Sequence, residues 1–228
     1  MLVSEIENHR LDKIKSLLTD QIANEVTKLF SLLDQSGYSE SEIDLIENSL
    51  TFAANQDYGT NILYKYYVGH PIRVAQLCAL WLQKLNEKNT ALIQAALIHN
   101  ALEKEVLTPE QLEDEYNPWI LKTIVTITVD RDDQQNADWA HRYYTELSKL
   151  DKYGQMLKVF DKFDNIYALC LNSDADVRKS YLDEIEEYIL PILNKQAPFW
   201  TEYFNQLILS TRKMGHRSIE SYMKEFGL

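Results

Sequence analysis

A chain of 228 residues, 45% hydrophobic and 25% charged, can bury one sizeable core and has the composition of an ordinary globular protein. Thirty-five acidic against 23 basic residues, a formal net charge of -12, argue against a partner that is a nucleic acid polymer, because such binders neutralise phosphates with Lys and Arg; a small phosphorylated molecule in a local basic pocket stays compatible. No apolar run approaches the roughly 20 residues that cross a bilayer, and the N-terminus lacks the basic and apolar regions of a signal peptide, so no membrane partner and a cytoplasmic location are expected.

Only 6 Gly and 5 Pro interrupt the chain, and apolar residues recur at spacings of three and four, the signature of amphipathic helices. An all-α fold is expected. In chain order, the pattern predicts helices over 3–17 and 20–35, an added helical pair forming an N-terminal extension (1–38) to a single helical domain (39–228). Ser39 with Glu42 makes a capping box ahead of "IDLIENSLTFAA". His70-Pro71 reads as a cap followed by proline, opening a helix from Pro71 to about Leu85, and another helix is expected over 90–104. Thr108 and Gln111 repeat the capping box, with Pro109 at the first helical position of 109–115. Further helices are expected over 117–128, 138–150, 154–171, 174–194 and 198–212.

Several features along this path read as structural. "TIVTITV" (123–129) is the one β-branched stretch and, lacking a partner strand, reads as the end of a buried helix. Gly154-Gln155 reads as a helix-start turn, and Asp183-Glu184-Ile185-Glu186-Glu187 as a solvated helix face. Cys78 and Cys170 lie in apolar helical contexts away from any CxxC pattern and read as buried, reduced thiols. Trp81, Tyr143, Tyr144, Phe160, Phe163 and Phe199 sit at core-like spacings, whereas His9, His141 and His216 have no partner pattern and read as surface residues.

Three places carry metal-capable side chains where a structural reading is strained: His70 at a helix start, His99-Asn100 near a helix end, and Asp161 within "MLKVFDKFDNIYAL". Imidazole with carboxylate suits a first-row divalent metal, and helices converging in a bundle can present them to one point. His99 and Glu103 are four apart and share a helix face, as do Asp161 and Asn165. A metal there would acidify water that Glu103 positions. The competing reading makes each histidine a hydrogen-bonded core residue and pairs Asp161 with Lys158 on a helix face. Arg73, one turn after His70, reads either as facing phosphate or as paired with a nearby acid.

"GHPIRVAQLCALW", "TALIQAALIHNALEK" and "MLKVFDKFDNIYAL" resemble, in order, the "HP..VA", "AALLHD..ED" and "KLADRL.N" segments of the HD-superfamily phosphohydrolases, and among these the RelA/SpoT-type (p)ppGpp hydrolases with their small stand-alone members. The likeness covers about residues 50–205 and includes "LTPEQLEDEYNPWILKTIVTITVD", where Thr128 matches the family's threonine. The resemblance implies an HD-domain helical bundle that hydrolyses a nucleotide or related phosphoester, (p)ppGpp-like in the nearest branch, with a divalent cation, Mn2+ first among them. Carried over, the metal ligands fall on His70, His99, Asn100 and Asp161, the catalytic acid on Glu103, and substrate contacts on Lys158 and Asn165.

The sequence departs from that pattern. Asn100 stands in place of the defining aspartate, Lys104 in place of the second acid, and "ANQDYGTNILYKYYVGHP" lacks the histidine and basic cluster that precede "HP". A catalytically impaired HD protein that binds a nucleotide or protein partner is therefore the alternative expectation, and a helical interaction protein the blander one.

Overall fold

Residues 2–56, 65–104, 106–130, 132–136 and 138–228 are described by the computed structural model. Among them no strand occurs, and the helical spacing is realised as α1 (Leu2–Leu18), α2 (Ile22–Gln35), α3 (Glu40–Ala54), α4 (Gly69–Leu85), α5 (Thr90–Ile98), α6 (Pro109–Glu115), α7 (Pro118–Ile127), α8 (Trp139–Leu147), α9 (Lys152–Ala168), α10 (Ala175–Glu184), α11 (Leu190–Gln196), α12 (Thr201–Met214) and α13 (Ile219–Phe226). Residues 57–64 of the segment ahead of "HP" lie outside the described residues.

Side-chain caps set many of these boundaries. Both predicted capping boxes form, Ser39 with Glu42 and Thr108 with Gln111, each with reciprocal hydrogen bonds. Asp151 accepts from the backbone N–H groups of Tyr153 and Gly154, so α9 starts at Lys152 and Gly154-Gln155 lies inside the helix instead of forming its entry turn. A Cβ at Gly154 would come within 2.9 Å of Leu150 Cδ1, so glycine there answers to close packing. His70 is also inside its helix rather than capping it, since α4 begins at Gly69. The helix expected over 90–104 ends at Ile98, and residues 99–104 continue as turns.

The helix expected over 174–194 runs unbroken from α10 into α11 but contains a π-helical turn, Ile185–Ile189, closed by a hydrogen bond from Leu190 N–H to Ile185 O. Pro191 follows immediately. Proline cannot donate to the carbonyl four residues back and its ring collides with it, and a widened turn accommodates both facts. The β-branched stretch does end a helix, with Thr123, Ile124 and Ile127 buried on α7. Cys78 and Cys170 are free and buried. Phe199 is a correction: it is 48% exposed, in a short 3-10 turn before α12, whereas the other five aromatics singled out are buried.

α9 lies at the centre. It packs against α1, α4, α11 and α12, while α4 packs against α2, α5 and α9, and α5 against α3 and α7. Phe160 of α9 is fully buried between Trp81 and Trp200 in two edge-to-face contacts, at ring separations of 6.0 and 5.5 Å. α13 adds a small satellite core in which Tyr222 packs with Ile14 and Cys170. Truncating Phe160 to alanine leaves a cavity at this buried aromatic contact. Phe160→Ala should lower unfolding free energy by about 3–5 kcal/mol in urea titrations, without altering helix content in the folded baseline.

Candidate metal centre

Three mutually packed helices, α4, α5 and α9, each bring one side chain to a common point. His70 is the second residue of α4, His99 directly follows the last residue of α5, and Asp161 lies midway along α9; all three are buried. His70 Nε2 and His99 Nε2 are 3.2 Å apart, and Asp161 Oδ1 lies 3.3 Å from the first and 3.7 Å from the second.

The remaining ring nitrogens decide what these atoms can do. His70 Nδ1 is 2.6 Å from Asp164 Oδ2, and His99 Nδ1 is 2.7 Å from the carbonyl of Ala96. A carbonyl only accepts. Burial opposes ionisation of Asp164, but Arg73, Lys13 and His70 hold its carboxyl well below the usual carboxylate range, so it too only accepts. Both Nδ1 atoms therefore carry the hydrogen in the neutral rings, and both Nε2 lone pairs face Asp161 Oδ1. With both rings neutral, three acceptors face one another without a donor among them, and a positive charge between them, a proton on one Nε2 or a metal ion, relieves the repulsion.

The spacing fits a metal ion. Bonds of about 2.0–2.2 Å to imidazole nitrogen and carboxylate oxygen set neighbouring ligand atoms roughly 3.0–3.6 Å apart. Two imidazoles and a carboxylate also form the donor set preferred by first-row divalent ions. His70, His99 and Asp161 can thus hold a metal ion. Both carboxylate oxygens of Asp161 are further engaged: Oδ1 accepts from Asn165 Nδ2 at 2.8 Å, and Oδ2 from Lys158 Nζ at 2.9 Å. Burial opposes the charge of each partner, yet their attraction prevails, holding Asp161 well below and Lys158 well above their ordinary pKa values.

His70 and Asp161 line a cleft of about 560 Å3 that also exposes Asn100, Glu103, Lys104, Lys158 and Asn165. Most site residues expected from the sequence are therefore gathered here; His99 lies behind the wall, in contact with His70 and Asp161. The Lys158–Asp161 ion pair of the competing reading also forms, so the two readings of Asp161 coexist. Asn100 Nδ2 donates to the Tyr67 hydroxyl at 2.6 Å, and the Lys104 ammonium sits 5.2 Å from the centre of the same ring. Thr128 hydrogen-bonds back to Ile124 O at the end of α7. Arg73 is ion-paired with Asp164 at 2.9 Å, the second of its two expected roles.

Sequence reasoning missed Asp164, Tyr67 and the far wall of the cleft, formed by Lys162, Tyr181 and Glu184. Lys162 Nζ donates to Glu184 Oε1 at 2.9 Å and lies over the Tyr181 ring. Glu184, read as part of a solvated face, turns inward, while Glu186 and Glu187 stay exposed. The repeat Asp161-x-x-Asp164, which puts two acids on one face of the helix, was the available signal.

A scan against protein-family models finds no match for the chain, and no curated protein matches it.

Two outcomes follow from the geometry. Alanine at His70, His99 or Asp161 should abolish divalent-cation binding measured by calorimetry, whereas His216→Ala, at an exposed histidine, should leave it intact. The depressed carboxylates also set an acid response. A carboxyl with a folded-state pKa below its unfolded value contributes stability above the unfolded value and loses it as pH falls toward the folded one. In chelator, the urea midpoint should therefore drop as pH is lowered from about 5 to about 3, and drop less steeply in Asp164→Asn.

Proposed function

We propose that this chain is an HD-type, metal-dependent phosphohydrolase acting on a small phosphorylated molecule, a nucleotide or related phosphoester. The observation that carries this reading is the convergence of His70 Nε2, His99 Nε2 and Asp161 Oδ1 beside a cleft that also holds Glu103 and three lysines, Lys104, Lys158 and Lys162. The order of the three sequence segments that bring these residues together supports the HD assignment.

His70, His99 and Asp161 would hold the cation, with Asn100 reaching it through a neutral amide oxygen. When bound, a divalent ion, Mn2+ in this reading, supplies Lewis-acid chemistry, polarising a phosphoryl oxygen and making water a stronger nucleophile near neutral pH. The protein's own groups do the rest. Lysine ammonium groups on both walls offset phosphate charge inside an otherwise acidic molecule. Water adds to phosphorus, Glu103 takes its proton, the ester P–O bond breaks, and the departing oxygen is protonated from solvent. Asn165 and Lys158 fix both oxygens of Asp161.

One observation favours the second reading, a binding protein with an impaired centre. Asn100 and Lys104, at the two positions where the resembled family carries acids, are both tied to Tyr67. The readings separate in one experiment. With Mn2+ supplied, phosphate or pyrophosphate release from a panel of nucleotides should be detected, and Glu103→Gln should cut kcat by about 10^2–10^4-fold with Mn2+ affinity retained. Nucleotide binding without turnover in the Mn2+-loaded wild type would establish the second reading instead.

A further inference from the structure

His70 and His99 are oriented by different means. His99 Nδ1 is held by a backbone carbonyl three residues back, that of Ala96. His70 depends on Asp164, a side chain from another helix, and that carboxylate is itself fixed from two further directions. Arg73, one turn along α4, donates Nε to Asp164 Oδ1 at 2.9 Å and Nη2 to Oδ2 at 3.4 Å. Lys13 of α1 forms an ion pair with Oδ2. Arg73 Nη1 also donates to Ser16 Oγ at 2.9 Å, and Ser16 returns to the backbone of α1 through Lys13 O at 2.7 Å. A Cβ at Gly69 would lie 3.0 Å from Arg73 Nη1, so the helix start is pared down where the guanidinium folds back.

Burying such a group of ions is a poor route to stability, because desolvation offsets most of their attraction. The arrangement is suited to fixing an orientation. A carboxylate bonded to the far nitrogen of a metal-binding imidazole sets its tautomer and ring direction and raises its basicity. We infer that Asp164, clamped by Lys13 and Arg73, is the positioning residue of the metal centre and that the N-terminal helix α1 is thereby a working part of it. This rests on the cation site proposed above. Asp164 does not contact the cation; it acts through His70.

The test uses the full chain and two readouts. Long-range 15N–1H NMR of the metal-free protein reads the tautomer of each histidine, and calorimetry with Mn2+ alone reads affinity. In wild type both His70 and His99 should carry their hydrogen on Nδ1. In Asp164→Asn, His70 should lose that single tautomer while His99 keeps it, and Mn2+ affinity should fall by about 10–100-fold. The unchanged His99 signal and helical circular dichroism separate this from general unfolding. Lys13→Met, which loosens the clamp but retains Asp164, should lower affinity in the same direction by a smaller factor, and it serves where Asp164→Asn does not fold.

If wild type takes up Mn2+ and Asp164→Asn, or failing that Lys13→Met, matches it in affinity and in the His70 tautomer, the positioning assignment alone is overturned. If wild type binds no cation, the cation site fails first and the assignment falls with it.

Discussion

Helix α9 carries four ionisable side chains, Lys158, Asp161, Lys162 and Asp164, into the interior of the protein. A buried charge costs several kcal/mol unless it is paired and hydrogen-bonded, so each of the four must find its partner as the chain folds. The partners come from all sides. Lys158 reaches the carbonyl of Ile127 at the end of α7, and Lys162 reaches Glu184 at the end of α10. Asp161 meets His70 and His99, and Asp164 meets Arg73 and Lys13. The apolar face of α9 supplies packing against Trp81 and Trp200, while the polar face determines which helices surround it and in what register.

The same requirement places chemistry on one side of the molecule. Asp161 faces two bare imidazole nitrogens, and Lys158 and Lys162, paired with Asp161 and Glu184, border the cleft. Under the proposed function the acidic surface as a whole is unsuited to phosphate, so discrimination would have to arise locally, where low dielectric strengthens each lysine's attraction for an anion. Asn100 and Lys104 add an amide and a cation to that local balance, on the wall shared with Tyr67.

Much of the fold was legible because it follows from local rules. Apolar spacing gave the helices, and Ser39, Thr108 and the prolines marked several starts. Where the sequence reading went astray, the deciding partner was remote or the geometry uncommon. His70 looked like a cap because His-Pro at a helix start fits that role, and nothing local revealed that its ring is held by an aspartate on another helix. Arg73 stayed ambiguous for the same reason. The π-helical turn before Pro191 leaves no periodicity signal distinct from an α-helix over so short a span. At the site, His70, His99 and Asp161 could be singled out as metal-capable residues, whereas Asp164, three residues after Asp161, gave no local sign that its partner was an imidazole.

The three candidate ligands belong to helices that are separate in sequence and touching in space, and this makes the centre a matter of turnover as well as chemistry. An ion seated between α4, α5 and α9 would bind the folded chain and not the unfolded one, acting as a removable cross-link whose contribution rises with the logarithm of free ion concentration. Chains emptied of their ion would then open more often and be cleared sooner by proteases, so that cellular abundance of the protein would follow the supply of the ion.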